Sequence, residues 1–368
     1  MKLYFLYFFI SLLFFGCSQR VQIPERLSKK LPNTYLLESS FTQLPNFKDE
    51  NYENVLKEFI NNCQTEKSQK LYGSLCEDTD AIRDAKTFFT TSFKPYVIQT
   101  KKGKKKGILT GYYEAELQAS MTKTAKYKYP IYKTPKDLIV VHLSSIYPEL
   151  KHYRLRGRIK GNKLIPYDTR RESKKKDVNA DVICYCDSKI DRFFLEIQGS
   201  GKVHFDDNST IFIGYDNQNG YKYRAIGKAL VKRGALELED VSLQSIKKWL
   251  EDNPSRVDEI LNYNKSLVYF QQREQGATGA LGLELHAKRS IAVDRRYIPL
   301  GSMLYMSADV KNRQINRFVF AQDTGGAIKG SVRADLFLGS GDKALDTAGR
   351  LNAPLKLWIL LPKQKKKM

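Results

Sequence analysis

The chain is poor in the residues that build metal centres. Its 368 residues include four histidines and five cysteines with no C-x-x-C pair, so no zinc-binding pattern is present. A calcium loop needs oxygen ligands at alternating positions, but Asp323 is followed by Thr, Gly, Gly, Ala and Ile. We therefore predict a protein that uses no metal and no other cofactor.

Long hydrophobic runs are absent except at the start of the chain. Leu3 to Phe15 is apolar, which is too short for a comfortable membrane span but typical of the core of a secretory signal. The run ends at Gly16-Cys17, a pattern similar to a bacterial lipoprotein cleavage site. We interpret residues 1–17 as a lipoprotein signal peptide with Cys17 as the lipidated residue. An ordinary signal peptide or an uncleaved anchor is the alternative.

Acidic residues are few beside basic ones, 40 against 62, which gives a formal charge of +22. Lysine runs carry part of this charge, at residues 101–106, 174–176 and 365–367. An exported protein meets no nucleic acid, and no nucleic-acid motif is present. Anionic lipid headgroups and the carboxylates of cell-wall peptides are better partners, although each run alone is also typical of a solvated surface.

The remaining cysteines form two pairs along the chain. Cys63 and Cys76 close a short loop between helical patterns and could form a disulfide in an oxidising compartment. Cys184 and Cys186 would lie on the same face of a strand, which suits a direct bond poorly. Whether Cys63 and Cys76 pair stays open at this point.

In the first half of the chain, helical patterns come before strand patterns. A polar tether is predicted to about Pro45, followed by a helix over YENVLKEFINNC and a second helix from an N-cap at Asp80 to before Pro95. Strands are predicted from Val97 onward. They cover GILTGYYEAELQAS, YPIYKTP, DLIVVHL, KLIPYDT, DVICYC and RFFLEIQGSGKVHF.

The second half repeats this order. Helices are predicted from Tyr221 to Gly234, after an N-cap at Asp240, and after Asn253-Pro254. The final strands are predicted at SLVYF, SIAVD, SMLYM, RFVFAQD, VRADLFLG and LKLWILL. The sequence therefore predicts an α+β protein that is mostly β, with a compact barrel-like C-terminal part.

Three acids stand among five glycines in AQDTGGAIKGSVRADLFLGSGDKA, residues 321–344. The glycines on both sides of the VRADLFLG strand let the backbone come close to a neighbouring group. Asp323, Asp335 and Asp342 could therefore converge on one spot. The alternative is a half-solvated strand with Asp335 on its outer face and no function.

Several blocks together resemble the membrane-bound lytic murein transglycosylase A family. They are LTGYYE, LEIQGSGKV, YRAIGKAL, NPSRVDEIL, RSIAVDRRYIPLGS and QDTGGAIKG-x-x-RADLFLG-x-GD, in the family's order from roughly Thr110 to Leu361. The resemblance implies a double-psi β-barrel with an inserted β-rich domain and a groove between them. The implied boundaries are 18–108 and 266–362 for the barrel domain and 109–265 for the insert.

The resemblance also implies a reaction and its residues. The reaction is cleavage of the β-1,4 bond between N-acetylmuramic acid and N-acetylglucosamine, with a 1,6-anhydro product. Asp335 would be the acid and base with a raised pKa, and Asp323 and Asp342 would support it. The groove would be lined by Tyr112, Tyr113, Gln198, Ser200, Tyr223 and Arg224, each of which could instead serve only in packing or turns.

Location and partners follow from the same resemblance and the signal segment. We expect a lipid-anchored protein at the periplasmic face of the outer membrane that binds peptidoglycan strands, with cell-wall synthesis or division proteins as further candidates. Two other functions stay open. A glycan-binding lipoprotein without catalysis would not need a shielded acid, and a hydrolytic muramidase would need a second, water-activating base.

Overall fold

We describe a computed structural model that covers residues 34–77, 79–174, 178–310 and 313–363, so that Cys17 and the signal segment lie outside the described residues. The strands, β1 to β16, are Tyr35–Glu38, Phe93–Gln99, Gly107–Ser120, Tyr129–Tyr132, Ile139–Val140, Arg156–Lys160, Lys163–Pro166, Val182–Cys186, Ser200–Phe205, Thr210–Gln218, Val268–Arg273, Ser290–Val293, Met303–Val310, Arg313–Asp323, Arg333–Ser340 and Asn352–Pro362. The helices, α1 to α9, are Tyr52–Cys63, Glu66–Tyr72, Ala85–Ser92, Arg170–Ser173, Lys189–Gln198, Ile226–Lys232, Leu243–Asp252, Val257–Leu261 and Asp342–Arg350. Within these ranges, no helix has both the length and the apolar character needed to cross a bilayer.

Six strands close into a barrel. They follow the order β16, β13, β14, β12, β15 and β3, and β3 pairs back to β16. The β12–β14 and β15–β3 pairings are parallel, and the other four are antiparallel. Alternate apolar residues of these strands form one buried core, which includes Leu109, Ile291, Leu304, Val319, Leu336 and Ile359. The mostly β fold with a barrel is confirmed, and its double-psi character stays a prediction.

Strand β3 belongs to two sheets. Its first half pairs with β15 and β16 in the barrel, and residues from Ala115 onward pair with β9 and β8. The second sheet continues through β10 and β11, with β4 beside β8, and β5 to β7 form a separate small sheet. Side chains at positions 110–114 of β3 therefore lie where the barrel meets the second sheet.

The N-terminal helices cover one outer side of the barrel. Phe59 of α1 and Phe89 of α3 are fully buried against Phe318 and Trp358 of the barrel strands. The structure contains a disulfide between Cys63 and Cys76, with their Cα atoms 5.3 Å apart. Burial of these large aromatic rings fixes the helices to the sheet.

The predicted boundaries near the N-terminus need correction. The tether was predicted to reach Pro45, but β1 already pairs with β2 from residue 35, and α2 was not predicted. The second predicted helix corresponds to α3. It is capped by Asp84, whose side chain accepts a hydrogen bond from the Thr87 amide at 3.1 Å. Asp80 lies instead in a short 3₁₀ turn. Strand β2 begins at Phe93 rather than at Val97.

The segment RFFLEIQ was predicted as a strand, but it is helix α5. Ser188 caps this helix by accepting a hydrogen bond from the Asp191 amide at 3.1 Å. Its apolar residues Ile190, Phe193, Phe194 and Ile197 have helical spacing. The consecutive apolar residues from Phe193 to Leu195 also fit a buried strand, which is why the segment was predicted as one. Only the following SGKVHF forms a strand, β9.

Two later helix starts also differ from the prediction. The helix predicted from Tyr221 begins at Ile226, and the helix assigned to a cap at Asp240 is capped by Ser242. Ser242 accepts a hydrogen bond from the Ser245 amide at 3.0 Å, whereas Asp240 ends a 3₁₀ turn. Aspartate and serine are equally good N-cap residues, so position decides between them: Ser242 directly precedes the first helical residue, Leu243, whereas Asp240 belongs to the preceding 3₁₀ turn.

Candidate active site

Two aspartates lie on either side of one short barrel strand. Asp323 of β14 and Asp335 of β15 both pair with Ala292 of β12, and Asp335 pairs on its other side with Thr110 of β3. Adjacent strands are about 4.8 Å apart, so the two aspartate backbones lie roughly 10 Å apart. A register shift in the β12–β14 pairing places Asp323 opposite Ala292, at the same level of the sheet as Asp335. The residue between the two aspartate positions is therefore Ala292, which has a small side chain.

Asp335 is held by a chain of hydrogen bonds across the β15–β3 pair. The Thr110 hydroxyl donates to its Oδ1 at 2.5 Å, and Arg333 Nη2 donates to the Thr110 oxygen at 2.8 Å. Burial raises the pKa of Asp335, while the Thr110 hydrogen bond and the Arg333 charge partly oppose this. The pKa of Asp335 is therefore shifted in the predicted direction, with burial as the largest cause.

Asp323 is fixed by three donors. Its Oδ1 accepts hydrogen bonds from the backbone amides of Ala280 at 3.0 Å and Thr324 at 2.7 Å, and its Oδ2 accepts one from the Tyr112 hydroxyl at 3.1 Å. Burial raises the pKa of Asp323 to about 6; the three hydrogen bonds lower it, and the charge of Asp335 raises it. The site therefore contains two carboxyl groups that both favour the protonated form more than a solvated aspartate does.

An apolar cluster surrounds this pair. The Tyr112 and Phe337 ring centroids are 5.2 Å apart, and both residues are buried. The other members are Ala277, Leu285, Ala292 and Ile328. Because Phe337 is on the same strand face as Asp335, this face is not solvated, which contradicts the alternative of a half-solvated strand. Burial and the two aspartate charges raise the pKa of Tyr112 well above its ordinary value, so its hydroxyl remains a donor.

Asp342 is placed differently from the other two acids. It lies in the first turn of α9, directly after Gly341, and its side chain is exposed. Among the described residues, none forms a hydrogen bond or ion pair with its carboxylate. The carboxylate is well placed to interact with the partial positive charge at the start of α9. Its predicted support of Asp335 stays a prediction.

The predicted groove residues on the insert side fall into two groups. Tyr113 is buried in the core of the second sheet, and its backbone amide donates to Gln198 Oε1 at 3.2 Å. Ser200 is buried at the start of β9, opposite Gly214. These three residues lie together beside the place where β3 passes from the barrel into the second sheet.

The second group faces the loop that follows Asp323. A side chain at Gly326 would begin 3.9 Å from Cβ of the half-buried Tyr223. Burial raises the pKa of Tyr223 to about 12. The exposed Arg224 donates from its backbone amide to Asn264 Oδ1 at 3.2 Å, so its guanidinium is not held by that contact. Tyr223 thus lies across from the glycine-rich loop, next to Arg224.

Residues that sequence reasoning missed complete the site. Thr110, Ala292 and Arg333 connect or separate the two carboxyl groups, although none was selected as a site residue. Thr110 is within the LTGYYE block, two residues before Tyr112 and on the same strand face, which was the available signal. Within the described ranges, no group of three or more His, Cys, Asp or Glu residues could hold a metal ion.

Two parts of the chain match known domain families. Residues 108–271 match the MltA specific insert domain, and residues 289–361 match the 3D domain. The chain belongs to the membrane-bound lytic murein transglycosylase A family. It is 33% identical over 261 residues to membrane-bound lytic murein transglycosylase A of Escherichia coli K12, with 68% of this chain and 64% of that protein covered. This chain thus spans just under two thirds of that relative's length.

Solved structures agree with this assignment. The crystal structure of MltA from Neisseria gonorrhoeae in a monoclinic form has 30% sequence identity and a TM-score of 0.78, and the match covers 91% of this chain and 94% of that one. Escherichia coli MltA with bound chitohexaose has 26% identity and a TM-score of 0.67, with coverage of 87% and 91%.

Proposed function

We propose that this protein is a peptidoglycan lytic transglycosylase that cleaves the β-1,4 bond between N-acetylmuramic acid and N-acetylglucosamine. The observation that carries the proposal is the buried pair Asp323 and Asp335 on either side of Ala292, at the junction of the barrel and the second sheet. The relative's name and the chitohexaose bound in a solved neighbour support a glycan substrate.

Asp335 would serve first as acid and then as base. Its proton passes to the glycosidic oxygen as the bond from that oxygen to the muramoyl anomeric carbon breaks. The muramoyl 6-hydroxyl then bonds to the same carbon and returns its proton to the Asp335 carboxylate. No water is consumed, and the intramolecular nucleophile supplies the proximity that a second residue would otherwise provide. Burial raises the pKa of Asp335, which favours the protonated form that the first step needs.

Asp323 would be a supporting group rather than a water-activating base. Two donors on Oδ1 and one on Oδ2 hold its carboxyl group in one orientation. When ionised, its charge would favour the protonated form of Asp335 and stabilise positive charge on the sugar ring. A hydrolytic muramidase would instead use a second carboxylate to activate water, and the product distinguishes the two reactions.

Product mass tests the proposal. Purified protein acting on sacculi should release muropeptides that are one water lighter than hydrolytic products, as measured by mass spectrometry. Products at the hydrated mass would indicate a muramidase, and strand binding without any soluble product would indicate a glycan-binding lipoprotein. Either result would overturn the transglycosylase assignment.

We also propose that Cys17 carries a lipid that holds the enzyme at the periplasmic face of the outer membrane, which agrees with the membrane-bound relatives by name. Cys17→Ala should release the protein from the membrane fraction or leave it unprocessed. Fractionation and globomycin treatment measure this. Processing that is insensitive to globomycin, with no lipid on the wild-type residue, would contradict the anchor.

Thr110→Val should move the pH dependence of the rate upward. The substitution keeps the side-chain shape but removes a donor that stabilises the ionised form of Asp335, so the pKa of Asp335 should rise further. Activity that requires the protonated acid is lost as the pH rises through this pKa. The alkaline limb of the kcat/KM profile should therefore shift to higher pH.

Thr110→Ser is the matched control, because it keeps the hydroxyl and should keep the wild-type limb. An unchanged or downward-shifted limb in well-folded Thr110→Val would separate Thr110 from the catalytic proton.

A further inference from the structure

The residue before Asp323 is an extra residue in its strand. In the parallel pairing of β12 and β14, Ile291 lies opposite Ala321. The next pair is Ala292 with Asp323, so Gln322 has no partner on β12. A bulge of this kind bends the strand and re-aims the side chain beside it, and bulges are common next to active sites. The bulge at Gln322 therefore places Asp323 opposite Ala292.

Polar groups hold the Gln322 side chain, although it is fully buried. The Ser290 hydroxyl of β12 donates to Gln322 Oε1 at 2.5 Å, and Gln322 Nε2 donates to Asn62 Oδ1 of α1 at 3.5 Å. Asn62 and Ser290 are also fully buried, and Asn62 Nδ2 donates to the Gly301 carbonyl at 2.7 Å. A buried amide is unfavourable without hydrogen-bond partners, so this side chain strongly favours the one position that supplies them.

The backbone of Gln322 connects the bulge to a donor of Asp323. The Leu281 amide donates to the Gln322 carbonyl at 2.8 Å, and the amide of the preceding Ala280 donates to Asp323 Oδ1 at 3.0 Å. A Cβ atom at Gly279 would lie 2.4 Å from the same carbonyl oxygen, so the close approach of this segment requires glycine. Residues 279–281 thus contact the bulge and also hold the Asp323 carboxyl group.

We propose that Gln322 is a positioning residue: its side chain, bonded to α1 and β12, holds the bulge that fixes the orientation of the Asp323 carboxyl group. The proposal rests on the function proposed above, in which Asp323 supports the acid Asp335. Gln322 is fully buried and its side-chain hydrogen bonds go to Ser290 and Asn62, so it acts on the substrate only through Asp323. Helix α1 thereby contributes to the support of the active site.

A double-mutant cycle tests this role. Gln322→Met keeps the length of the side chain but removes its hydrogen bonds, so kcat for anhydro-muropeptide release should fall about three- to tenfold, the range for a lost hydrogen bond, with little change in KM. In an Asp323→Ala background the same substitution should cause little further loss, because the carboxyl group that it misplaces is absent. If the two losses multiply instead, Gln322 does not act through Asp323 and the proposal is overturned.

Ser290→Ala, which removes the donor to Gln322 Oε1, should act in the same direction and replaces Gln322→Met if that variant does not fold. The matched control is Ser302→Ala, because Ser302 is also fully buried but its hydroxyl has no hydrogen-bond partner among the described residues. An equal loss of kcat in this control would overturn the proposal.

Hydrogen exchange at the Ala280 amide provides a measurement that does not depend on activity. Exchange should be faster in Gln322→Met than in the wild type and in Ser302→Ala, since a misplaced Asp323 carboxyl group no longer accepts the Ala280 hydrogen bond. Unchanged exchange in folded Gln322→Met would contradict the positioning role. If the wild type releases no anhydro product, the proposed function fails, while exchange at Ala280 still tests whether Gln322 holds Asp323.

Discussion

Asp335→Asn should abolish turnover while leaving the fold nearly intact. Asparagine keeps the size of the side chain and an oxygen that can accept the Thr110 hydrogen bond, but it has no acidic proton. General acid–base help is typically worth about 10²–10⁴-fold, so kcat should fall by that factor. The measurement is release of anhydro-muropeptides from sacculi, with melting temperature and chitohexaose binding as controls for the fold.

The same substitution at the other two acids provides the comparison. Asp323→Asn should be milder than Asp335→Asn, and Asp342→Asn should be the mildest because that carboxylate is exposed on α9. If well-folded Asp335→Asn keeps more than about a tenth of the wild-type rate, the acid lies elsewhere, since its loss should cost at least tenfold more than that. Asp323, with its pKa raised to about 6, would be the first candidate to replace it.

The sequence made the carboxyl pair visible only in part. Alternation in VRADLFLG placed Asp335 and Phe337 on one face, and the structure agrees. The position of Asp323 depends on β12, a four-residue strand far away in the chain that pairs with β14 on one side and β15 on the other. No local pattern indicates that Ala292 lies between two acids, because this follows from the closure of the barrel.

Asp342 shows a different case, in which a helix was not predicted. Gly341 precedes helix α9, which packs on β3 and β15. A helical period was present in DKALDTAGR, because Ala344, Leu345 and Ala348 share one face opposite the charged residues. Only the glycines beside this segment were interpreted, and the helix was therefore missed.

A second large effect is expected at a buried ion pair beneath the segment that carries Tyr223 and Arg224. Arg170 and Glu196 are both more than nine-tenths buried and bond in a two-pronged arrangement at 2.9 and 2.5 Å. Arg170 also donates to the backbone oxygens of Asn264 and Ser266. Since the Asn264 side chain accepts from the Arg224 amide, this pair supports the segment that carries Tyr223 and Arg224.

Arg170→Met should lower the free energy of unfolding by about 3–5 kcal/mol, because it leaves the buried Glu196 carboxylate with only the more distant Arg192, whose Nε is 3.9 Å from Oε1, as an ionic partner. Asp252→Asn is the matched surface control: it breaks the exposed pair with Lys248 and should cost less than about 1 kcal/mol. Both are measured by urea unfolding.

The double variant Arg170→Met/Glu196→Leu should recover part of the loss, since it removes both charges. Recovery should be incomplete because the Asn264 and Ser266 oxygens and the Val268 amide lose a partner. If Arg170→Met costs no more than Asp252→Asn, the ion pair does not stabilise the segment of Tyr223 and Arg224, and its loss should then leave chitohexaose binding unchanged.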